Sequence, residues 1–180
     1  MNLFVLLNKA FNLIVRKLYN CLYVLKGLRI RNALYLGRGI RFNNVDVITI
    51  KESVSIGDCV RIWAEVRTEQ SHLSIDNNVQ VNKNVLLDIT GSLELKENVF
   101  ISEDSMLYTH NHGHDPRSIP VPSKLVIEEN VWIGSKVIIL PSVDYIGARS
   151  IIGAGTIVSK DVPPDSIVVS QAPRIISKAN

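Results

Sequence analysis

LVIEENVWIGSKVIILPSVDYIGARSIIGAGTIVSKDV, residues 125–162, repeats with a period of six. Ile127, Ile133 and Ile139 are evenly spaced, and after one extra residue Ile146, Ile152 and Val158 continue the series. Four positions beyond each stands a small or β-branched residue: Val131, Val137, Val143, Ser150, Thr156 and Val162. This period is neither the 3.6 of an amphipathic helix nor the 2 of a half-buried strand. A short constant period points instead to a parallel β-helix, in which each hexad supplies one strand and one tight turn. Gly134, Gly147, Gly153 and Gly155 fall where a corner turns sharply or a neighbouring backbone comes close, places that suit a residue without Cβ.

Working towards the N-terminus, the same phase holds at Leu95, Ile101 and Leu107, at Ile75, Val81 and Leu87, and at Ile50, Ile56, Ile62 and Thr68. It slips by one residue after the Thr68 unit, two after Leu87, fourteen after Leu107 and one after Ile139. If three hexads close one triangular coil, every slip falls at the same corner, and the excursion 108–124 leaves from it. Long loops on a rigid scaffold are where function concentrates. The expected organisation is an N-terminal segment (1–40), a β-helix (41–165) carrying the loop 108–124, and a C-terminal tail (166–180) after Pro163 and Pro164 end the repeat.

The composition agrees. Of 180 residues, 46% are hydrophobic but only 6% aromatic, which suits stacked Ile/Val/Leu layers in one domain. Cys21 and Cys59 show no metal-ligand or redox spacing and read as buried thiols of a reducing compartment.

Residues 1 to about 30 read as an amphipathic helix. Asn2, Lys9, Asn12, Arg16 and Asn20 form a narrow polar stripe, while Leu3, Phe4, Leu6, Leu7, Phe11, Ile14, Leu18, Leu22 and Leu25 fill the apolar face. Up to Arg41 the chain has Lys9, Arg16, Lys17, Lys26, Arg29, Arg31, Arg38 and Arg41 and no acidic residue, against a whole-chain charge of +3. The helix either caps the open end of the solenoid, whose strand edges need cover, or lies on an anionic membrane surface, where each basic residue near the headgroups is worth about 1 kcal/mol. Basic residues on a greasy helix without a groove-reading motif disfavour nucleic acid. Lys9, Arg16 and Lys17 interrupt any spanning run, and no secretory leader is evident. The expected location is cytoplasmic, or peripheral on the cytoplasmic face of the inner membrane through residues 1–41.

The excursion reads YTHNHGHDPRSIPVPS, with His110, His112 and His114 on alternate positions; with His72 these are all the histidines of the chain. An unperturbed pKa near 6.5 makes each a candidate proton acceptor. YTHNHGHDP followed by VWIGSKVIILPSV and IIGAGTIVSKDVPPDSIV resembles the hexapeptide-repeat acyltransferases, in the branch of maltose and galactoside O-acetyltransferases and the O-acetyltransferases of polysaccharide biosynthesis. The resemblance covers roughly residues 50–178. It implies a left-handed β-helix, acetyl-CoA as cosubstrate, a saccharide acceptor and a homotrimer with sites between subunits.

By motif match the resemblance puts the general base at His112, in the frame of Tyr108, Thr109, Asp115 and Pro116, and leaves His110 and His114 as packing or acceptor contacts. It implies Trp132, Ser135, Ala154, Ser159, Lys160 and Arg174 at the donor, a backbone N–H near Ser135 as oxyanion donor, and Asn82, with Asn84 and Asp115 weaker, at the acceptor. Trp132 reads equally as a corner residue covering the adjacent coil. Where the family often has Gly-Asn-Pro-Ala-Lys, Ser170, Gln171, Ala172, Pro173 and Arg174 stand here. No metal is expected. Rival readings are an acetyltransferase of small molecules or antibiotics, a catalytically silent scaffold, and a γ-type carbonic anhydrase with His72, His110 and His114 as zinc ligands; in the last, His72 lies two coils below the loop, about 10 Å away by strand spacing, too far for one zinc ion.

Overall fold

The computed structural model describes residues 11, 14, 29–30 and 35–170. Their strands form the three faces of a left-handed parallel β-helix. The first face stacks Arg29–Ile30, Ile48–Ile50, His72–Ile75, Ser92–Leu95, Lys124–Ile127 and Tyr145–Ile146. The second stacks Tyr35–Leu36, Ser55–Ile56, Gln80–Val81, Phe100–Ile101, Trp132–Ile133, Ile151–Ile152 and Ile167–Val168. The third stacks Arg41–Phe42, Arg61–Trp63, Leu86–Asp88, Met106–Leu107, Ile138–Ile139 and Ile157–Val158.

The hexad residue of each unit points inward. Ile127, Ile133, Ile139, Ile146 and Ile152 are fully buried, and Val131, Val137 and Val143 seal the corners beside them. Each such side chain contributes about 1.5–3 kcal/mol by leaving water, so the aliphatic column is the dominant stabilising element. Ile133 stacks on Ile101 below and Ile152 above through direct cross-strand register, which is why one period must persist along the chain.

Two corners are tight and built alike. The turn between first and second faces puts Ser53, Asn78, Asn98, Asn130, Arg149 and Asp165 in the left-handed region; the turn between second and third does so with Cys59, Asn84, Asp104, Lys136 and Gly155. Asn, Asp and Gly tolerate that conformation best. At the third corner the connections vary in length, and all the insertions leave from it.

Several expectations need correction. The repeat starts a coil before Ile50: Tyr35–Leu36 pairs with Ser55–Ile56, and Arg41–Phe42 with Arg61–Ile62, so a boundary at residue 41 cuts through that coil. Arg29–Ile30 pairs in parallel with Thr49–Ile50, so a helix cannot extend to residue 30. Of the helix expected before it, only Phe11 and Ile14 are described; both are helical and exposed. Thr68 is no hexad residue: 64–71 is an excursion at the third corner, within which Thr68 donates its hydroxyl to the Thr90 carbonyl at 2.9 Å. Cys59 is exposed at a tight turn rather than buried. Cys21, Arg174 and most of the tail lie outside the described residues. Among the described residues no helix is long and apolar enough to cross a membrane.

Candidate active site

Three levels of the third corner converge. From the lowest comes Glu65, just after Arg61–Trp63; its excursion is anchored by Asn43, which accepts from the Ala64 N–H (2.8 Å) and donates to the Ala64 carbonyl (2.7 Å). From the next comes Asp88, at the end of its strand. From the third comes the loop, which opens as a hairpin pairing His110–Asn111 with Val121–Pro122.

The hairpin's neck is packed hard onto the coil below. Ser123 N–H donates to the Thr109 carbonyl at 2.8 Å, and Gly91 N–H to the Thr109 hydroxyl at 3.0 Å. A Cβ on Gly91 would sit 1.9 Å from the Ser123 carbonyl oxygen and 2.6 Å from that of Thr109, so only glycine fits. Asp88 is 3% exposed and collects donors from all sides: Thr109 N–H (2.6 Å), Thr90 N–H (3.0 Å), the Thr90 hydroxyl (2.6 Å) and His110 Nδ1 (2.7 Å). A buried carboxylate persists only with such partners, and here they fix where the loop begins.

His110 therefore has Nδ1 on Asp88 and Nε2 on Glu65 Oε2, 3.0 Å away. Both of its ring nitrogens thus meet carboxylate oxygens, and the Nδ1 partner is the buried Asp88. His112 is held differently. Its Nδ1 meets the Ser118 carbonyl at 2.8 Å, and the Ser118 hydroxyl donates back to the His112 carbonyl at 2.7 Å. A carbonyl only accepts, so Nδ1 carries the proton and Nε2 is the reactive nitrogen. Nε2 lies 3.2 Å from Glu65 Oε1. The Ser118 carbonyl first, and then Glu65, hold the His112 pKa above its ordinary 6.5. The two rings meet edge to face, 5.3 Å apart.

The Ser118 carbonyl thus fixes the tautomer of His112. Asp115 instead accepts from the Arg117 N–H at 2.9 Å and shapes the loop's turn. His114 and His72 are exposed and stand apart from the histidine pair. Donor atoms of Glu65, His110 and His112 lie within 4.8 Å of one another, close enough to share one cation. That differs from the set weighed for a carbonic anhydrase.

Beneath the histidines a cleft of about 330 Å³ opens on the third face, lined among others by Arg41, Arg61, Trp63 and Tyr108. The donor-side residues do not meet in one chain. Trp132 lies half exposed on the second face, its indole N–H donating to the Ser102 hydroxyl at 3.1 Å, as a residue covering the coil below would. Ser135 and Ala154 follow in the corner between second and third faces and stack as expected, Ser135 O accepting from Gly155 N–H at 2.8 Å. Among the described residues the Ser135 N–H meets no acceptor. Ser159 and Lys160 are exposed at the third corner, beside a cavity of about 320 Å³. Asn82 lies in the Ser135 corner, its Oδ1 accepting from Gln80 at 2.9 Å; Asn84, left-handed and bonded to Asp104 at 3.0 Å, is a turn residue.

Glu65 and Asp88 went unread in the sequence. A carboxylate inside the apolar run VLLDIT was the available signal for Asp88. Glu65 had none, because its excursion was absorbed into a false hexad.

No family profile matches the chain. The galactoside O-acetyltransferase of Escherichia coli K12 is 35% identical over 118 residues, covering 61% of this chain and 56% of that one. A candidate lipopolysaccharide biosynthesis O-acetyl transferase of the same organism is 31% identical over 117 residues, 58% and 59% of the two chains. The chain thus spans a little over half the length of these relatives. Among solved structures, a hexapeptide-repeat acetyltransferase of Vibrio cholerae O1 biovar eltor complexed with acetyl coenzyme A shares 26% identity at a TM-score of 0.50, covering 76% and 66%. A mutant of the Bacillus cereus N-acyltransferase AntD shares the fold at a TM-score of 0.60 with 20% identity, over 84% and 80%. The β-helix of this chain is the fold seen in these solved acyltransferase structures.

Proposed function

We propose that this chain is an acetyl-CoA-dependent O-acetyltransferase that modifies a sugar hydroxyl during assembly of a cell-surface polysaccharide, with His112 as general base. One observation carries the reading: an imidazole whose Nδ1–H is locked to a carbonyl and whose Nε2 faces Glu65, a residue of the cleft wall. The similarity to galactoside and lipopolysaccharide O-acetyltransferases supports the substrate class.

The acceptor hydroxyl takes the place of the Glu65 oxygen at Nε2 and gives its proton to His112 as its oxygen attacks the thioester carbon. Such positioned proton transfer is worth about 10²–10⁴ in rate. The tetrahedral oxyanion is held by a backbone N–H, that of Ser135, where a preorganised donor strengthens as charge develops. Collapse breaks the C–S bond, and the imidazolium returns its proton to the departing thiolate. Glu65 balances the imidazolium charge between the two events.

Ser135 and His112 occupy different corners of one prism, separated by the third face. We therefore place the reaction between copies in a closed homotrimer, where the Ser135 corner of one meets the loop corner of the next. Residues 1–41 would hold the assembly at the cytoplasmic face of the membrane or cap the first coil. The transfer is written without a metal; stoichiometric zinc in purified protein, lost together with activity on chelation, would overturn that part.

The test is thiol release from acetyl-CoA with a panel of sugars. His112→Ala should lower turnover about hundredfold or more while the affinity for CoA stays within about twofold. Unchanged turnover removes His112 from the mechanism.

A further inference from the structure

We propose that the cleft below the histidines receives an acceptor whose sugar is joined to a phosphate or diphosphate, with Arg41 and Arg61 as the anion site. The inference rests on the O-acetyltransferase reading and narrows its substrate class. Arg41 and Arg61 are direct register partners on neighbouring strands of the third face, so their side chains leave the sheet about 4.8 Å apart. Like charges directly opposite each other destabilise a sheet. Among the described residues neither guanidinium has an ion-pair or hydrogen-bond partner to relieve them. Two other arginines are paired, Arg67 with Asp46 and Arg149 with Asp165, whereas the guanidiniums of Arg38 and Arg117 have no partner among the described residues either.

The carboxylates on the cleft wall do not neutralise the pair, because they are engaged elsewhere. Asp88 is taken by Thr90, Thr109 and His110, and Glu65 by the two imidazoles. What faces the opening is two guanidiniums unpaired among the described residues, whose planar forks suit phosphate oxygens. Trp63 stands two residues from Arg61 on the same strand, about 7 Å along it. It is 47% exposed and registers with Asp88, whose carboxylate holds His110 Nδ1. An anion on the arginines would leave an attached ring over this indole, with its hydroxyls towards His112. The arginines belong to the two lowest coils, whereas Ser135, Ala154 and Lys160 belong to coils above the loop. The anion they await is therefore the acceptor's and not the donor's.

Binding to the full chain, read calorimetrically without acetyl-CoA, tests this. The probes are inorganic diphosphate, nucleoside diphosphate hexoses, a short polyprenyl diphosphate N-acetylhexosamine, and the same sugars as neutral methyl glycosides. Phosphate-bearing sugars should bind at least about tenfold more tightly than the glycosides, inorganic diphosphate should compete, and affinity should fall steeply with salt. The nucleotide and polyprenyl arms tell which carrier is used. Arg41→Met with Arg61→Met should remove that preference, leave CoA binding unchanged and raise the Tm, or at least not lower it, as the opposed charges go. Equal binding of neutral glycosides, or a double variant that keeps the preference or loses CoA instead, overturns the assignment. If phosphate-linked sugars bind through the arginines but no acetyl transfer follows, the cleft assignment stands and the acetyltransferase reading falls. If neutral glycosides are acetylated as well as phosphate-linked ones, the reverse holds.

Discussion

The two tight corners and the open corner of this prism grow from the same hexad, yet they obey different constraints. At the tight corners a left-handed residue recurs at every level, and stacked side chains reinforce it: Asn78 donates to Asn98 at 2.7 Å, and Asn98 to Asn130 at 3.1 Å. Change at one level is felt by its neighbours, so chain length there is fixed. At the open corner the connection can lengthen without disturbing the aliphatic column, because each face is registered through its own strands. Glu65, Asp88 and the histidine loop all use that freedom. A repeat scaffold thus separates stability from chemistry by corner, and the separation can be tested one corner at a time.

The largest effect is expected where the open corner is bolted to the coil beneath. Gly91→Ala forces a Cβ into the Ser123 and Thr109 carbonyl oxygens, both backbone atoms that cannot turn aside. Overpacking of this kind costs about 1–3 kcal/mol and at times more. The hairpin should lift, taking His110 and His112 with it, so acetyl transfer should fall at least about tenfold alongside a lowered Tm. Wild-type turnover at wild-type Tm would show that the neck does not position the loop.

A smaller effect, and one on stability alone, is expected at a tight corner. Asn98→Ala keeps the left-handed backbone at φ 60° but gives it a residue that disfavours it by about 1–2 kcal/mol, and breaks the asparagine ladder. Denaturant midpoints should register the loss while turnover per folded molecule stays unchanged. A fall in turnover matching that of Gly91→Ala would erase the distinction between corners.

The same distinction explains what was legible in the sequence. The column Ile127 to Val158 could be read because register forces one residue type at one spacing, and it is buried as expected. Ile30, Leu36 and Phe42 follow that spacing too, but outward Tyr35, Arg41 and the basic residues around them disguise the first coil. His112 is singled out by its motif and stands as the proposed base, and the stacking of Ser135 on Ala154 was legible because register places them. The partners that set the histidines were not. Glu65 lies far from His112 in sequence and reaches it only through an excursion that no period marks, while the Ser118 carbonyl is backbone, which sequence does not single out. Open-corner contacts are made between levels, and their partners follow from insertion lengths rather than from residue types.

Glu65→Gln offers the finest test, because it alters the charge between the two histidines without altering shape. The base works only when His112 is neutral, and its pKa is raised by the Ser118 carbonyl foremost and by Glu65 after it. The acid limb of transfer should therefore lie above 6.5 in the native chain and move down when the carboxylate is gone. Part of the elevation should survive in the variant, since the carbonyl remains. Linkage fixes the accompanying sign: a raised folded pKa adds stability that is fully present below about 6.5 and disappears as pH rises through the folded value. The stability that Glu65 adds through His112 should accordingly be largest in mild acid and vanish in mild base. A variant whose acid limb does not move, or moves upward, would place Glu65 outside the charge balance of His112 and leave the Ser118 carbonyl, with Asp115 behind it, to raise its pKa.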